Sequence, residues 1–227
     1  MNRVVIVIPI YNNPESIKKV VEDTLNLNLP IIVVDDGSNI DVNTLLDNHK
    51  NLTILRHSTN QGKGQAILTG TKEAKKRDFE HIITIDADGQ HYPSEIKKML
   101  PLLEENSIII GNRIFKEDVP NSSKFGRAFS NFWIFVETGK WLTDTQSGFR
   151  AYPISILDLD LTHNRYDFEI EVIVKHIWNR GDIKEVPIEV YYPPKGTRVS
   201  HFDKVQDNIR LSKIHTKLVL KRIFRLF

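Results

Sequence analysis

The most constraining feature of this chain is a repeated alternation in its first half. Short apolar runs of four to five residues are separated by stretches with helical spacing. Val4–Ile8, Ile31–Val34, Leu52–Leu55, His81–Ile85 and Ser107–Ile110 read as strands buried on both faces. Pro14 with Glu15 opens the first helical stretch, where a missing N–H and a negative charge both suit the helix dipole; Ile17, Val20, Val21 and Leu25 follow at helical spacing. Further helices are expected from about Gln65 to Lys76 and from Pro93 to about Leu103. Doubly apolar strands joined by helices imply an α/β fold, a Rossmann-like, mostly parallel sheet covered by helices on both faces. Ligands of such sheets bind outside the carboxyl ends of the strands, where the polar clusters 35–38, 86–90 and 111–113 fall.

The second half is less regular. Helices are expected over about Ser123–Gly139 and Asp167–Arg180, with a strand over Ile183–Tyr191 and a loop over Pro193–Arg198. No repeat or low-complexity linker interrupts the chain. The expected division is one domain over 1–204, with halves meeting near 110, followed by a basic helix over 205–227.

Composition narrows the class. Among 227 residues, 40% are hydrophobic and 26% charged, which excludes disorder. The absence of cysteine excludes a disulfide framework, an iron–sulfur cluster and a cysteine nucleophile. No apolar run approaches the roughly 20 residues that span a bilayer, and the stretch before Pro9 is too short for a signal peptide, so a cytoplasmic location is expected. The net charge of +2 is unevenly spread. Asn208–Phe227 holds six basic residues and no acidic one, leaving 25 basic against 29 acidic residues elsewhere, a net −4.

Asp86 and Asp88, two residues apart after a strand and followed by Gln90, suit a hard cation such as Mg²⁺ or Mn²⁺; equally, they suit an acidic turn capping the next helix. Asp35-Asp36 can bind a ribose or base, or close an Asx turn. Gly62-Lys63-Gly64 lacks P-loop spacing and can approach a phosphate or make a tight turn. Arg113, Arg150 and Arg198 each follow a glycine within two residues and carry the forked donors that suit phosphate oxygens.

Six motifs then occur in order: Pro9-Ile10-Tyr11-Asn12, Val34-Asp35-Asp36-Gly37-Ser38, Asn60-Gln61-Gly62-Lys63-Gly64, Asp86-Ala87-Asp88-Gly89-Gln90-His91, Gly111-Asn112-Arg113 and Gln146-Ser147-Gly148-Phe149-Arg150. Together they resemble glycosyltransferase family 2, inverting enzymes of the GT-A fold, and within it the dolichol-phosphate mannose synthase and polyprenyl-phosphate glycosyltransferase branch. The resemblance implies a hexose transferase that uses a GDP-mannose- or UDP-glucose-type donor and a polyprenyl-phosphate acceptor. It implies a metal held by Asp86, Asp88 and Gln90, and a nucleoside held by Asp35 and Asp36 with Pro9 and Tyr11 lining the base pocket. Gly62, Lys63 and Arg150 would face the donor, Arg113 and Arg127 the acceptor phosphate, and Arg198 a loop closing over the donor. Asp88, Arg113 and Asp144 would be the catalytic set. A glycan hydroxyl acceptor, or a non-catalytic nucleotide-sugar sensor, are the alternatives. The motif Asn12-Asn13, where relatives often have Asn-Glu, and Asn112, where Ser is commoner, leave the donor open.

In the tail, Arg210, Lys213, Lys217, Lys221 and Arg225 form one helical stripe with Val219, Leu220, Ile223, Leu226 and Phe227 broadly opposite. This pattern fits an interfacial helix at an anionic membrane surface, or a solvated helix packed on the domain. Phe129, Phe132, Trp133 and Phe135 suit either an acceptor groove or the core. With an acidic body and no base-stacking motif, no nucleic-acid partner is expected.

Overall fold

All seven residues of β1 (Val4–Ile10) are buried, and the strand's two faces feed two separate hydrophobic clusters. In this computed structural model, which describes residues 3–114, 121–191 and 206–224, Ile6, Ile8 and Ile10 pack with Ile17, Val20 and Val21 of α1 (Pro14–Leu25). Val5 and Val7 face the other way, onto Ala66, Ile67 and Ala74 of α2 (Lys63–Lys76) and the apolar face of α5 (Phe168–Trp178). A strand that is apolar at every position is thus a strand with helices on both sides.

The sheet has seven strands in the order β3-β2-β1-β4-β6-β5-β7. β2 (Ile31–Asp35), β3 (Leu52–Arg56) and β4 (His81–Thr84) run parallel with β1, and β7 (Asp182–Ile188) runs parallel with β5 (Ser107–Arg113). The chain moves outward from β1 to β3 and then returns to β4 on the opposite side. The order therefore reverses at β1 and β4, which is where open α/β sheets form their crevice.

One strand is added and two sequence expectations change. The stretch Arg150–Pro153 is a strand, β6, running antiparallel between β4 and β5, with Arg150 opposite both Thr84 and Ile110. The expected helix over 93–103 is broken into a 3₁₀ turn, a four-residue α3 (Ile96–Met99) and a second 3₁₀ turn, because Pro101 supplies no N–H to continue it. The last strand ends at Ile188 rather than Tyr191; Pro187 is tolerated there because β7 is an edge strand.

The C-terminal helix α6 (Gln206–Ile223) is part of the core. Its Ile214 and Leu218 join Ile134 of α4 (Asn121–Thr138) in the second cluster. His215 Nδ1 meets Glu137 Oε1 at 2.7 Å, and Arg222 donates to the carbonyl of Val136, near the C-terminal end of α4. Of the expected apolar side, Leu220 and Ile223 are exposed and Val219 is half-buried, while Leu226 and Phe227 lie outside the described residues.

Candidate active site

The site grows from the carboxyl end of β4. Asp86 follows Ile85 into the 86–90 loop, and its Oδ1 lies 2.7 Å from Lys63 Nζ at the first turn of α2. The same ammonium lies 2.9 Å from Glu169 Oε1, in the first turn of α5. Burial alone would raise the Asp86 carboxyl, but Lys63, His91 and Arg113 reverse this and hold it below the usual carboxylate range. Lys63 is likewise buried, which works against its charge, yet the two carboxylates hold it above the ordinary lysine value. Asp88 is organised locally: its Oδ1 accepts from the Gln90 amide N–H at 3.0 Å and its Oδ2 from Gln90 Nε2 at 2.8 Å. Beside them, the His91 ring lies tilted against Phe149, and burial pushes its imidazole down to about 4, so it is neutral at pH 7.

Asp86, Asp88 and Gln90 offer two carboxylates and an amide oxygen, hard donors of the kind that suits Mg²⁺ or Mn²⁺, and His91 Nδ1 is buried there without a hydrogen-bond partner. Among the described residues no group of three His, Cys, Asp or Glu side chains gathers as a complete metal cluster. A cation here would share Asp86 with the Lys63 ammonium.

The Ser-Gly-Phe-Arg segment serves this arrangement from behind. A Cβ on Gly148 would lie 2.5 Å from Lys63 Nζ and 2.6 Å from Asp86 Oδ2, so only glycine leaves room for the pair. Arg150, expected to face the donor, does not. It is fully buried, and its guanidinium donates to the carbonyls of Ser147, Thr145 and Glu169 at 2.7–2.8 Å. It is a clamp that fixes the loop before β6 and the start of α5.

At the end of β5, Arg113 forms a bidentate pair with Asp144: Nε to Oδ2 at 2.7 Å and Nη2 to Oδ1 at 2.8 Å, with the Arg113 amide adding a third bond to Oδ2. Asp144 is fully buried while the Arg113 side chain keeps some exposure, so the carboxylate orients a guanidinium toward the surface. Arg127 lies on α4, one residue after Gly126, whose carbonyl accepts from Gln146 Nε2.

The expected nucleoside residues hold the protein's own loops. Asp35 accepts from the Ser38 amide and pairs with Arg56 at 2.5 Å. Asp36 accepts the amides of Gln61 and Gly62 and meets His57 Nδ1 at 2.7 Å. Pro9 is buried in β1, and Tyr11 follows at its carboxyl end. A cavity of about 270 Å³ opens there between Ile10, Asn12, Ser38 and Asn39. Gly62 and Gly64 are required by packing: a Cβ on Gly62, at φ +104°, would strike the Asn164 carbonyl, and one on Gly64 would lie 2.5 Å from Phe168. That 162–165 loop is held by Glu171, which accepts from Thr162 N, His163 N and Lys175 Nζ. Arg198 and its loop lie outside the described residues.

Arg56 and His57 were not singled out by sequence reasoning, because they sit in no motif. In the sequence Glu169, like Glu171, stands only as a carboxylate that could take the proton of a hydroxyl acceptor. Its partnership with Lys63 depends on α2 and α5 meeting in space.

Beyond the site, Phe129, Phe132 and Phe135 of α4 are 41%, 50% and 43% exposed, so they are not core residues. Ile209 and Leu220 of α6, and Phe224 just beyond it, are also exposed, and Leu220, expected opposite the basic stripe, shares one face with Lys213, Lys217 and Lys221. Among the described residues no helix is long and apolar enough to cross a membrane.

An open, mostly parallel α/β sheet with polar loops at its reversal point is the architecture of the GT-A fold, and comparison with known proteins gives the class. Glucosyl-3-phosphoglycerate synthase from Mycobacterium tuberculosis, solved with Mn²⁺, UDP and glucosyl-3-phosphoglycerate, superposes with a TM-score of 0.71 at 18% identity, covering 97% of this chain and 80% of that one. The Glycosyl transferase family 2 model matches residues 5–160, and the chain belongs to that family. A UDP-N-acetylglucosamine–dolichyl-phosphate N-acetylglucosaminyltransferase of Methanococcus voltae is 32% identical over 82% of this chain and 85% of its own length. An undecaprenyl-phosphate mannosyltransferase of Micrococcus luteus is 27% identical, covering 82% of each chain.

Proposed function

We propose that this glycosyltransferase transfers a hexose, with inversion, from a GDP- or UDP-sugar to a polyprenyl phosphate. In that reaction the bond from the anomeric carbon to the diphosphate breaks, a bond to an acceptor phosphate oxygen forms, and the nucleoside diphosphate leaves. The observation that carries the reading is the state of the carboxylates. A hydroxyl acceptor needs a carboxylate free to take its proton. Asp144 is in a bidentate pair with Arg113, Glu169 lies against Lys63, and Glu171 holds the 162–165 loop. A phosphate acceptor arrives ionised and needs a cation, which Arg113, oriented by Asp144, offers with Arg127. Two relatives named for lipid-phosphate acceptors support the same choice.

Asp86, Asp88 and Gln90 would hold Mg²⁺ or Mn²⁺, which when bound supplies positive charge to the departing diphosphate. Lys63 adds a second cation from the start of α2. The enzyme reaches its acceptor as a peripheral protein at the cytoplasmic face of the membrane, through the face on which Leu220 and Phe224 lie with the lysines of α6, helped by the exposed Phe129, Phe132 and Phe135 of α4. Apolar side chains rimmed by cations suit anionic headgroups over an acyl layer.

The test is incubation of purified protein with Mn²⁺ and radiolabelled UDP- and GDP-hexoses, with polyprenyl phosphate in detergent as acceptor in one reaction and a saccharide acceptor in a parallel one. Label in the organic extract is expected. Label appearing only in a saccharide acceptor, or donor binding without transfer, would overturn the reading.

A further inference from the structure

Lys63 stands in a position where a metal-binding carboxylate and a second, unassigned carboxylate compete for one ammonium. Its Nζ is 2.7 Å from Asp86 Oδ1 and 2.9 Å from Glu169 Oε1, and all three groups are mostly shielded, with the Glu169 side chain only 8% exposed. The contact is built in. Gly148 is pressed so close that any side chain there would displace Lys63 or Asp86. Glu169 itself is anchored through its backbone carbonyl, which accepts Arg150 Nη1 at 2.7 Å. Gly62, packed on Asn164, fixes the start of α2 that carries Lys63.

We infer that Glu169 is a positioning residue whose charge neutralises the Lys63 ammonium and so sets how strongly the Asp86–Asp88–Gln90 set binds a divalent cation. The inference rests on the metal-dependent reading above. A divalent ion that shares Asp86 with an unneutralised ammonium a few ångströms away is repelled by it. With Glu169 in place, Lys63 brings no net charge to that corner and still presents a cation to a diphosphate. Asp86 alone would be electrically cancelled by Lys63; Asp86 and Glu169 together leave one negative charge for the metal. Neither residue position carries a metal ligand's usual spacing to Asp86 in sequence, so the coupling exists only where α2, α5 and the β4 loop meet.

The test is Mn²⁺ titration of the purified full chain, without donor, read by the free-ion electron paramagnetic resonance signal. Even with the screening of bulk water, an effective dielectric of about 80, loss of one full charge about 6 Å from a divalent ion shifts affinity by about tenfold. Glu169→Gln should therefore weaken Mn²⁺ binding about tenfold, and Lys63→Met should strengthen it by about the same factor. The double variant, which removes both charges, should return to within about threefold of the parent; this isosteric neutral pair also guards against misfolding of either single variant. A parent that binds Mn²⁺ with Glu169→Gln unchanged, or with the double variant no closer to the parent than the singles, would overturn the inference and leave the metal reading standing. A parent that binds no Mn²⁺ would overturn both.

Discussion

Gly148 provides the sharpest test of how the site is built. Its backbone lies outside the left-handed region, so alanine meets no conformational barrier, and the whole effect comes from one added methyl group. That methyl would lie 2.5 Å from Lys63 Nζ, and 2.6 and 3.0 Å from the two Asp86 carboxylate oxygens. Comfortable non-bonded separations are about 3.5–4.0 Å, so the ion pair must move by about 1 Å. The fold gives way cheaply, because one of the crowded atoms ends a flexible lysine chain. Overpacking then costs toward the lower end of the usual range of about 1–3 kcal/mol. Catalysis is less forgiving: a misplacement of about 1 Å in a site that positions a reacting phosphate costs about 10²-fold, or nearly 3 kcal/mol of barrier. Gly148→Ala should thus retain a cooperative urea transition, lowered by about 1 kcal/mol, while kcat/KM for lipid-linked product falls about 100-fold. A folded variant with kcat/KM within about threefold of the parent would refute the idea that Lys63 and Asp86 form one positioned unit in the active site.

Other outcomes follow from particular contacts. Asp144→Asn keeps the shape but removes a buried charge that accepts three N–H bonds from Arg113; stability should fall by about 2–4 kcal/mol, and KM for polyprenyl phosphate should rise more than KM for donor. Equal changes in both KM values would count against Arg113 as the acceptor's cation. Burial works against the Glu171 carboxylate, but bonds from His163, Lys175 and Thr162 outweigh it and hold the group below the usual glutamate range. A depressed carboxylate stabilises the fold above the unfolded value, about 4.3, and loses that contribution as pH falls further; Glu171→Gln should cost about 2–4 kcal/mol at pH 7 and flatten the acid limb of urea melts below about pH 4.5. Identical acid limbs would show that Glu171 is not the group concerned. Replacing Lys213, Lys217 and Lys221 together by alanine should weaken sedimentation with anionic vesicles at low salt by about 100-fold, at about 1 kcal/mol per lysine. An unchanged bound fraction would remove α6 from the membrane contact.

Much of the core sheet was legible because β1 and β2 are apolar at nearly every position, a pattern with few other uses in a folded domain. β6 was not legible. It begins with an arginine and ends with a proline, and it is a strand only because Arg150 finds three backbone carbonyls inside the protein. The break in the helix after Pro93 was readable in principle from Pro101. The aromatic residues of α4 carried no sign of their exposure, since a helix with phenylalanine on several faces looks the same whether buried or not.

At the site, sequence alone determined the inventory: Asp86, Asp88 and Gln90 after one strand, Arg113 after another, Lys63 between two glycines. Spacing along the chain is local, and those clusters are local. Which groups share a charge was decided only by tertiary structure. Lys63 joins Asp86 to Glu169 across three elements, Asp144 locks Arg113 across 31 residues, and Arg150 turns inward. Electrostatic coupling depends on distance and burial, and neither is written in the order of residues.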